Sequence, residues 1–350
     1  MAGLDIREYR GEFEDVVELA HRVWVPEYGG KTWIPLPEAA FLREKFTSEA
    51  GALCLVAYEG ANLVGSVFSV PRRMRIAGID YPVSMFTGFT VEPSRRRVAL
   101  PLIERLRRIN ETSGAAFGIG MVLDDPTSAS YRFWTKYAET YPKSFQFVFR
   151  GGYWAKFLRP DAFAKAGIKT WERAASRTAG PLLRLIPRGY DPHVRPYRPS
   201  DLERCFELVE KTFSGVDWAM RWPIDQLTAQ LGGPAFTTLV YERDGTVEAL
   251  VNCHTFPLQG RKLIRCAFID LWAEGKVKGS ARMSLVGHLC KNLGDVGVHG
   301  VIAPRAATMP SAALIANLFI PGAQHFRIGV FPTKQAPSFA LPVSWSFEIT

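Results

Sequence analysis

The sequence contains itself twice, and this duplication narrows the available folds more than any other feature of it. Residues 6–10 read IREYR and residues 194–198 read VRPYR, an offset of 188. An acidic, amphipathic stretch follows in both places. Val16, Leu19, Ala20 and Val23 recur at helical spacing in the first copy, and Leu202, Phe206, Leu208 and Val209 mark the second. Ser200 and Asp201 supply helix-start chemistry ahead of the second run. LCLVAYEGANLVGSVFSV (53–70) then matches TTLVYERDGTVEALVNCH (237–254), each reading strand, tight turn, strand. Asp244-Gly245 is a strong hairpin signal. A third strand follows in each copy, PVSMFTGFTV (82–91) and LIRCAFIDLW (263–272), and leads through a turn into a helix. A last strand closes each copy, AAFGIGMVL (115–123) and VHGVIAP (298–304). A strand–helix–strand ending sets a parallel crossover beside an antiparallel meander, so each copy is a mixed α/β sheet. The expected organisation is two tandem domains, 1–150 and 194–350, joined by a connector over 151–193.

Charge is informative because it is local. Lys and Arg exceed Asp and Glu by nine in 350 residues, yet the connector alone holds eight basic and three acidic side chains. Such a distribution argues against a surface that coats nucleic acid. Within the connector Lys165, Lys169, Arg173 and Arg177 fall at i+4 spacing, which predicts one amphipathic helix with a basic stripe, ended by Gly180-Pro181. Five scattered cysteines without a C-x-x-C pair give neither a disulfide framework nor a zinc site, and no metal is expected. The N-terminus shows no apolar signal region and no run reaches the length of a membrane span, so a cytoplasmic location is expected.

The stretch FTVEPSRRRVALPLIERLRR (89–108) ends a strand at Pro93, runs through three arginines and opens a helix whose buried face is Leu102, Ile103 and Leu106. Unpaired backbone N–H groups and the helix dipole make such a turn an anion site, and arginines add charge-assisted hydrogen bonds to phosphate. The pattern resembles motif A of the GCN5-related N-acetyltransferase (GNAT) superfamily, whose pyrophosphate loop reads Gln/Arg-x-x-Gly-x-Gly/Ala. The match begins at Arg96, with Ala99 and Pro101 at the glycine positions. The resemblance implies that Phe89, Thr90 and Val91 pair with the pantetheine arm of an acyl-CoA. It also implies that Arg95, Arg96, Arg97, Val98, Ala99 and Leu100 hold the pyrophosphate. In the second copy Lys276-x-x-Gly279-x-Ala281 occupies the aligned place without the arginine run. The first copy is favoured as the donor site because it also keeps the downstream helix.

That helix lies in MVLDDPTSASYRFWTKYAET (121–140), which is similar to motif B of the same superfamily. Trp134 stands where the superfamily often places a tyrosine that protonates the leaving thiolate. Tyr131 and Tyr137, three residues to either side, are the candidate general acids. The segment VWVPEYGGKTWIPLPEAAF (23–41) takes the place of the acceptor loop: its prolines and glycines preclude a long helix, and Trp24, Tyr28 and Trp33 are candidate walls of an acceptor site. Candidate general bases are His21, Glu27, Asp80 and the Thr350 carboxylate, with a water chain as the alternative.

The two copies together resemble tandem acyltransferases of the superfamily. These include the N-myristoyltransferases, the bacterial N-acyl amino acid synthases and double-domain acetyltransferases, and nothing in the sequence assigns the chain to one of them. The function implied is transfer of an acyl group, acetyl first among them, from an acyl-CoA co-substrate to a primary amine of a small molecule, by direct attack in a ternary complex. Two alternatives stay open. One is a long-chain enzyme that docks an acyl carrier protein on the basic connector. The other is a non-catalytic acyl-CoA sensor.

Overall fold

Near-continuous apolar runs in the repeated hairpins, buried on both faces, build a sheet covered on both sides. The computed structural model describes residues 3–48, 50–185, 190–339, 342 and 344–346. Its strands are β1 (Leu4–Glu8), β2 (Ile34–Pro35), β3 (Leu53–Glu59), β4 (Asn62–Ile76), β5 (Ile79–Val91), β6 (Phe117–Leu123), β7 (Gln146–Phe157) and β8 (Val194–Pro196). They continue with β9 (Trp218–Arg221), β10 (Phe236–Arg243), β11 (Thr246–Gln259), β12 (Leu263–Glu274), β13 (Gly300–Pro304), β14 (Ile320–Pro332) and β15 (Trp345–Ser346). The helices are α1 (Phe13–Tyr28), α2 (Ala39–Ser48), α3 (Ala99–Thr112), α4 (Ala129–Thr140), α5 (Pro160–Ala166) and α6 (Thr170–Thr178). After them come α7 (Gly180–Leu183), α8 (Leu202–Phe213), α9 (Ile224–Gly232), α10 (Gly279–Asp295) and α11 (Ser311–Ala316).

One continuous mixed sheet runs β1-β3-β4-β5-β6-β14-β7-β13-β12-β11-β10-β8. Along that path β5–β6 and β12–β13 are parallel, as the strand–helix–strand reading requires, and the other pairs are antiparallel. The order in the middle is the important part. β14, from the second copy, lies between β6 and β7 of the first, and β7 in turn borders β13 of the second. The copies therefore interleave β7 and β14, the strands that follow β6 and β13. Close approach there depends on strand glycines that each carry an aromatic ring. A Cβ on Gly120, Gly151 or Gly329 would stand 2.3, 2.1 or 2.3 Å from the rings of Phe86, Phe326 and Phe145 respectively.

The helices cover both faces. On one face α3 and α4 bury Leu102, Ile103, Leu106 and Trp134 against Leu55, Val67, Phe86 and Phe331. The helix α10 does the same under the second copy with Leu285, Leu289 and Cys290. On the other face α1 presents Val16, Leu19, Ala20 and Val23, all buried, as their spacing requires. Pro26 lies inside the last turn of α1, where it has no N–H to give to the Arg22 carbonyl, and the helix runs on to stop before Gly29. All five cysteines are free and buried.

The connector departs from the single-helix expectation. Residues 151–157 belong to β7, and the basic run is split between α5 and α6. Gly167 turns the chain out of α5 in an extended conformation, and the Glu172 carboxylate then accepts the Ile168 and Lys169 N–H groups at 2.8 and 2.9 Å, which starts a new helix. Lys165 and Lys169 are thus on opposite sides of a break, and Arg173 folds back to donate to the Gly167 and Ile168 carbonyls. The i+4 stripe does not exist on one helix face.

Candidate active site

β5 and β6 stay paired from Val83 and Phe117 to Phe86 and Gly120, then part. Beyond the fork β6 follows β14, while β5 follows β4 through a bulge. Phe68 faces Thr87 and Ser66 faces Thr90, so Gly88 and Phe89 stand opposite Val67 alone. Gly88 is required twice there. Its φ is +61°, and a Cβ would lie 2.4 Å from the Phe68 ring. Among the described residues no strand pairs with the edge of residues 87–91 that faces β6.

The fork opens on a cavity of about 310 Å³ beneath α1 and α2. The first copy lines it with Phe68, Val70, Met85, Phe86 and Met121, and the second with His254, Phe256, Phe268 and Ile302. The wall is mostly apolar. Ser66 is fully buried on that wall, and its Oγ finds no hydrogen-bond partner among the described residues. A buried hydroxyl without a partner is costly unless a ligand atom meets it.

The second copy forks in the same way after Phe268 and Ile302, with Asp270 as its bulge residue between Ile269 and Leu271. Protein packs that region: Trp272, Ala306 and Met309 are buried in one apolar cluster, and the Ala307 N–H donates to the Trp345 carbonyl. The cavity opens from the fork of the first copy.

Past β5, residues 93–98 form a 3-10 turn kinked at Arg95, and α3 begins at Ala99. Val98 and Ala99 are buried, Val98 against Ala57 and Val64, and Leu100 is exposed. Arg95 Nε and Arg97 Nη2 both reach the Glu59 carboxylate, at 2.7 and 2.8 Å. The Arg97 hydrogen bond, with charge from Arg95, holds the Glu59 carboxyl below its usual range. Arg96 is exposed and has no ion-pair partner among the described residues.

On α4 the Ser128 Oγ caps the first turn by accepting the Tyr131 N–H at 3.1 Å. Trp134 reaches the cavity and packs on Phe89 at 5.3 Å and Phe145 at 5.0 Å. Neither candidate tyrosine of α4 borders it. Tyr137 is buried beside Phe145 and Phe331, and burial, with Glu104 nearby, pushes its phenol up to about 12. Tyr131 lies under the Arg327 guanidinium, 5.0 Å away. A different tyrosine does border the cavity: Tyr28, at the end of α1, whose hydroxyl meets Ser130 in the first turn of α4 and whose pKa burial raises.

Of the remaining candidates, Phe89, Thr90 and Trp24 line the cavity, whereas Val91 packs toward α3. Trp33 packs on Phe163 at 5.9 Å and donates to Glu172 at 3.4 Å, away from the cavity. His21 contacts the Pro37 carbonyl at 3.2 Å, and Asp80 is ion-paired with Arg75 and Arg221. Those two and Glu27 are absent from the cavity wall, and Thr350 falls outside the described residues.

Sequence reasoning did not single out a buried polar pair of which His254 is on that wall. His254 Nδ1–H donates to both Asp270 oxygens, at 2.8 and 3.0 Å, with both residues buried. The signal was present in the hairpin. The antiparallel register sets His254 opposite Phe268, which leaves Asp270 two residues along the neighbouring strand. Among the described residues no cluster of His, Cys, Asp and Glu is fit to hold a metal, and no helix is long and apolar enough to cross a membrane.

No family model matches the chain, and no curated protein matches it in sequence. Its likeness is to solved structures. Saccharomyces cerevisiae N-myristoyltransferase with bound myristoyl-CoA superposes with a TM-score of 0.72 at 14% identity, over 95% of this chain and 83% of the yeast one. A second structure of the yeast enzyme with bound myristoyl-CoA gives 0.74 at 13% identity, over 96% and 80%. An Enterococcus faecalis V583 protein of unknown function, described as a probable N-acyltransferase, gives 0.53 at 11% identity, over 96% and 74%. At these identities the fold is what is shared. The chain has the double GNAT fold, in the arrangement of the N-myristoyltransferases.

Proposed function

We propose that the chain transfers an acyl group from an acyl-CoA to a primary amine of a small molecule, with both substrates bound at once. The observation that carries this reading is the fork of β5 and β6 opening on an apolar cavity, in a fold whose yeast example binds myristoyl-CoA. The unpaired edge of Phe89, Thr90 and Val91 receives the pantetheine amides as an added strand would. The Ser66 hydroxyl, unpartnered beside Thr90, suits a donor carbonyl. Trp134 and Phe89 wall the sulfur end. Trp24 and Tyr28 border the acceptor's approach, and the Tyr28 hydroxyl, at the N-terminus of α4, is placed to hand a proton to the departing thiolate.

Volume bears on the acyl group. One liquid water takes roughly 30 Å³, so the three heavy atoms of an acetyl group fill a minor part of 310 Å³. A longer apolar chain fits better than acetyl. Each methylene buried adds about 0.8 kcal/mol, or roughly fourfold in affinity. Thermal stabilisation at equal ligand concentration is therefore expected to rise from acetyl-CoA to decanoyl-CoA. Equal stabilisation by the two would return the reading to acetyl, and no response to any acyl-CoA would overturn it. Binding without thiol release on a panel of primary amines would favour a sensor.

The phosphate end gives a second test. Arg96 is free to turn to a phosphate, whereas Arg95 and Arg97 share Glu59. A charge-assisted hydrogen bond contributes about 1.5–3 kcal/mol. Arg96→Ala is thus expected to weaken decanoyl-CoA binding by roughly 10- to 100-fold, and Arg97→Ala by less, as titration calorimetry would read.

A further inference from the structure

We propose that His254 is the proton acceptor for the incoming amine and that Asp270 positions it, so that the second copy supplies the base for a donor held in the first. This rests on the acyl-CoA reading above. Four observations point to it. The Asp270 side chain is fully buried and accepts from Nδ1–H, which leaves the lone pair of a neutral imidazole on Nε2. Nε2 has no hydrogen-bond partner among the described residues, and the ring borders the cavity. The ring is clamped, stacked on Phe41 at 4.9 Å with Phe256 and Phe268 within 6.0 Å. Finally, the base candidates of the first copy that the structure describes, His21, Glu27 and Asp80, are absent from the cavity wall, and Glu38, which does border it, is ion-paired with Arg265 at 3.1 Å.

The step balances simply. The amine nitrogen bonds to the thioester carbonyl carbon and one N–H proton passes to His254 Nε2. The carbon–sulfur bond then breaks with its electron pair on sulfur. The Tyr28 hydroxyl gives its proton to the thiolate, the proton on Nε2 passes through water to the Tyr28 oxygen, and the products are an amide and free CoA thiol. Asp270 keeps its charge throughout and stabilises the imidazolium.

The test uses decanoyl-CoA, its unreactive decyl thioether of CoA, and a panel of small primary amines. Stabilisation by decanoyl-CoA establishes that His254→Gln and Asp270→Asn are folded. His254→Gln is expected to lower thiol release in the presence of amine by about 10²–10⁴. Asp270→Asn frees the ring to turn, so kcat is expected to fall by about 10²-fold with the KM for decanoyl-CoA unchanged, a split that a merely structural role would not give. A readout independent of the acceptor is the ring resonance of His254, one of six histidines, assigned by its loss in His254→Gln. The decyl thioether is expected to shift it. An unshifted resonance at saturation, or wild-type turnover in His254→Gln, overturns the proposal and leaves the acyl-CoA reading intact. Absence of stabilisation by any acyl-CoA overturns that reading instead.

Discussion

A chain ending at residue 193 is expected to be insoluble or molten, although it contains every element of the first copy. The edge of β6 that β14 covers would be left open over its whole length, from Phe117 to Leu123. An uncovered inner strand is a template for aggregation. The core would also lose Phe326, Ile328, Val330 and Phe331, none more than 5% exposed. Phe326 belongs to the cluster that holds Val83, Met85 and Ile119, and Phe331 rings Trp134 and Phe145. Removing one buried phenylalanine side chain costs about 3–5 kcal/mol, against a total stability of roughly 5–15 kcal/mol for a folded domain. Sedimentation and near-ultraviolet circular dichroism of the 1–193 fragment read the outcome. A soluble fragment with a cooperative thermal transition would contradict it.

Gly120→Val should damage stability and ligand binding together. The new Cβ would stand 2.3 Å from the Phe86 ring, on the last residue pair before the fork. Overpacking of this kind costs about 1–3 kcal/mol when the neighbour is able to move. Phe86 is hemmed by Phe331 at 4.9 Å and Trp134 at 5.8 Å, so its remaining way out is into the cavity it lines. The expected result is a lower urea midpoint and loss of the stabilisation by decanoyl-CoA. Gly114→Val is the control, since a Cβ there meets nothing within 4 Å; its φ of +79° carries a local strain but no link to the cavity. Loss of stability with ligand binding intact would mean that the fork tolerates a displaced Phe86.

Local chemistry made the element order readable. The hairpins announced themselves through short apolar runs and turn residues such as Asp244-Gly245, and α3 through Leu102, Ile103 and Leu106. What the residues do not announce is which strand lies beside which once two copies share a sheet. β14 carries no local mark of belonging next to β6, because pairing between strands about 200 residues apart is decided by the assembled edge. The connector misled for the opposite reason. Its i+4 cations gave a clean periodicity, yet Gly167 ended one helix and the Glu172 carboxylate began another. The site was half visible. Phe89, Thr90, Trp24 and Tyr28, singled out in the sequence, lie on the cavity wall, while His254 and Asp270 read as ordinary strand residues until the register joined them.

The interleaving of β7 and β14 also sets a schedule. During synthesis β6 leaves the ribosome about 200 residues before β14, an interval on the order of 10–40 s at 5–20 residues per second. For that time the first copy has an unpaired central edge and an unfinished core, and no local folding event can close either. The halves therefore mature together and late, when β14 enters between β6 and β7. A nascent chain built this way depends on whatever shields a waiting sheet edge in the cell, and its yield should respond to translation speed more than to the stability of the finished protein.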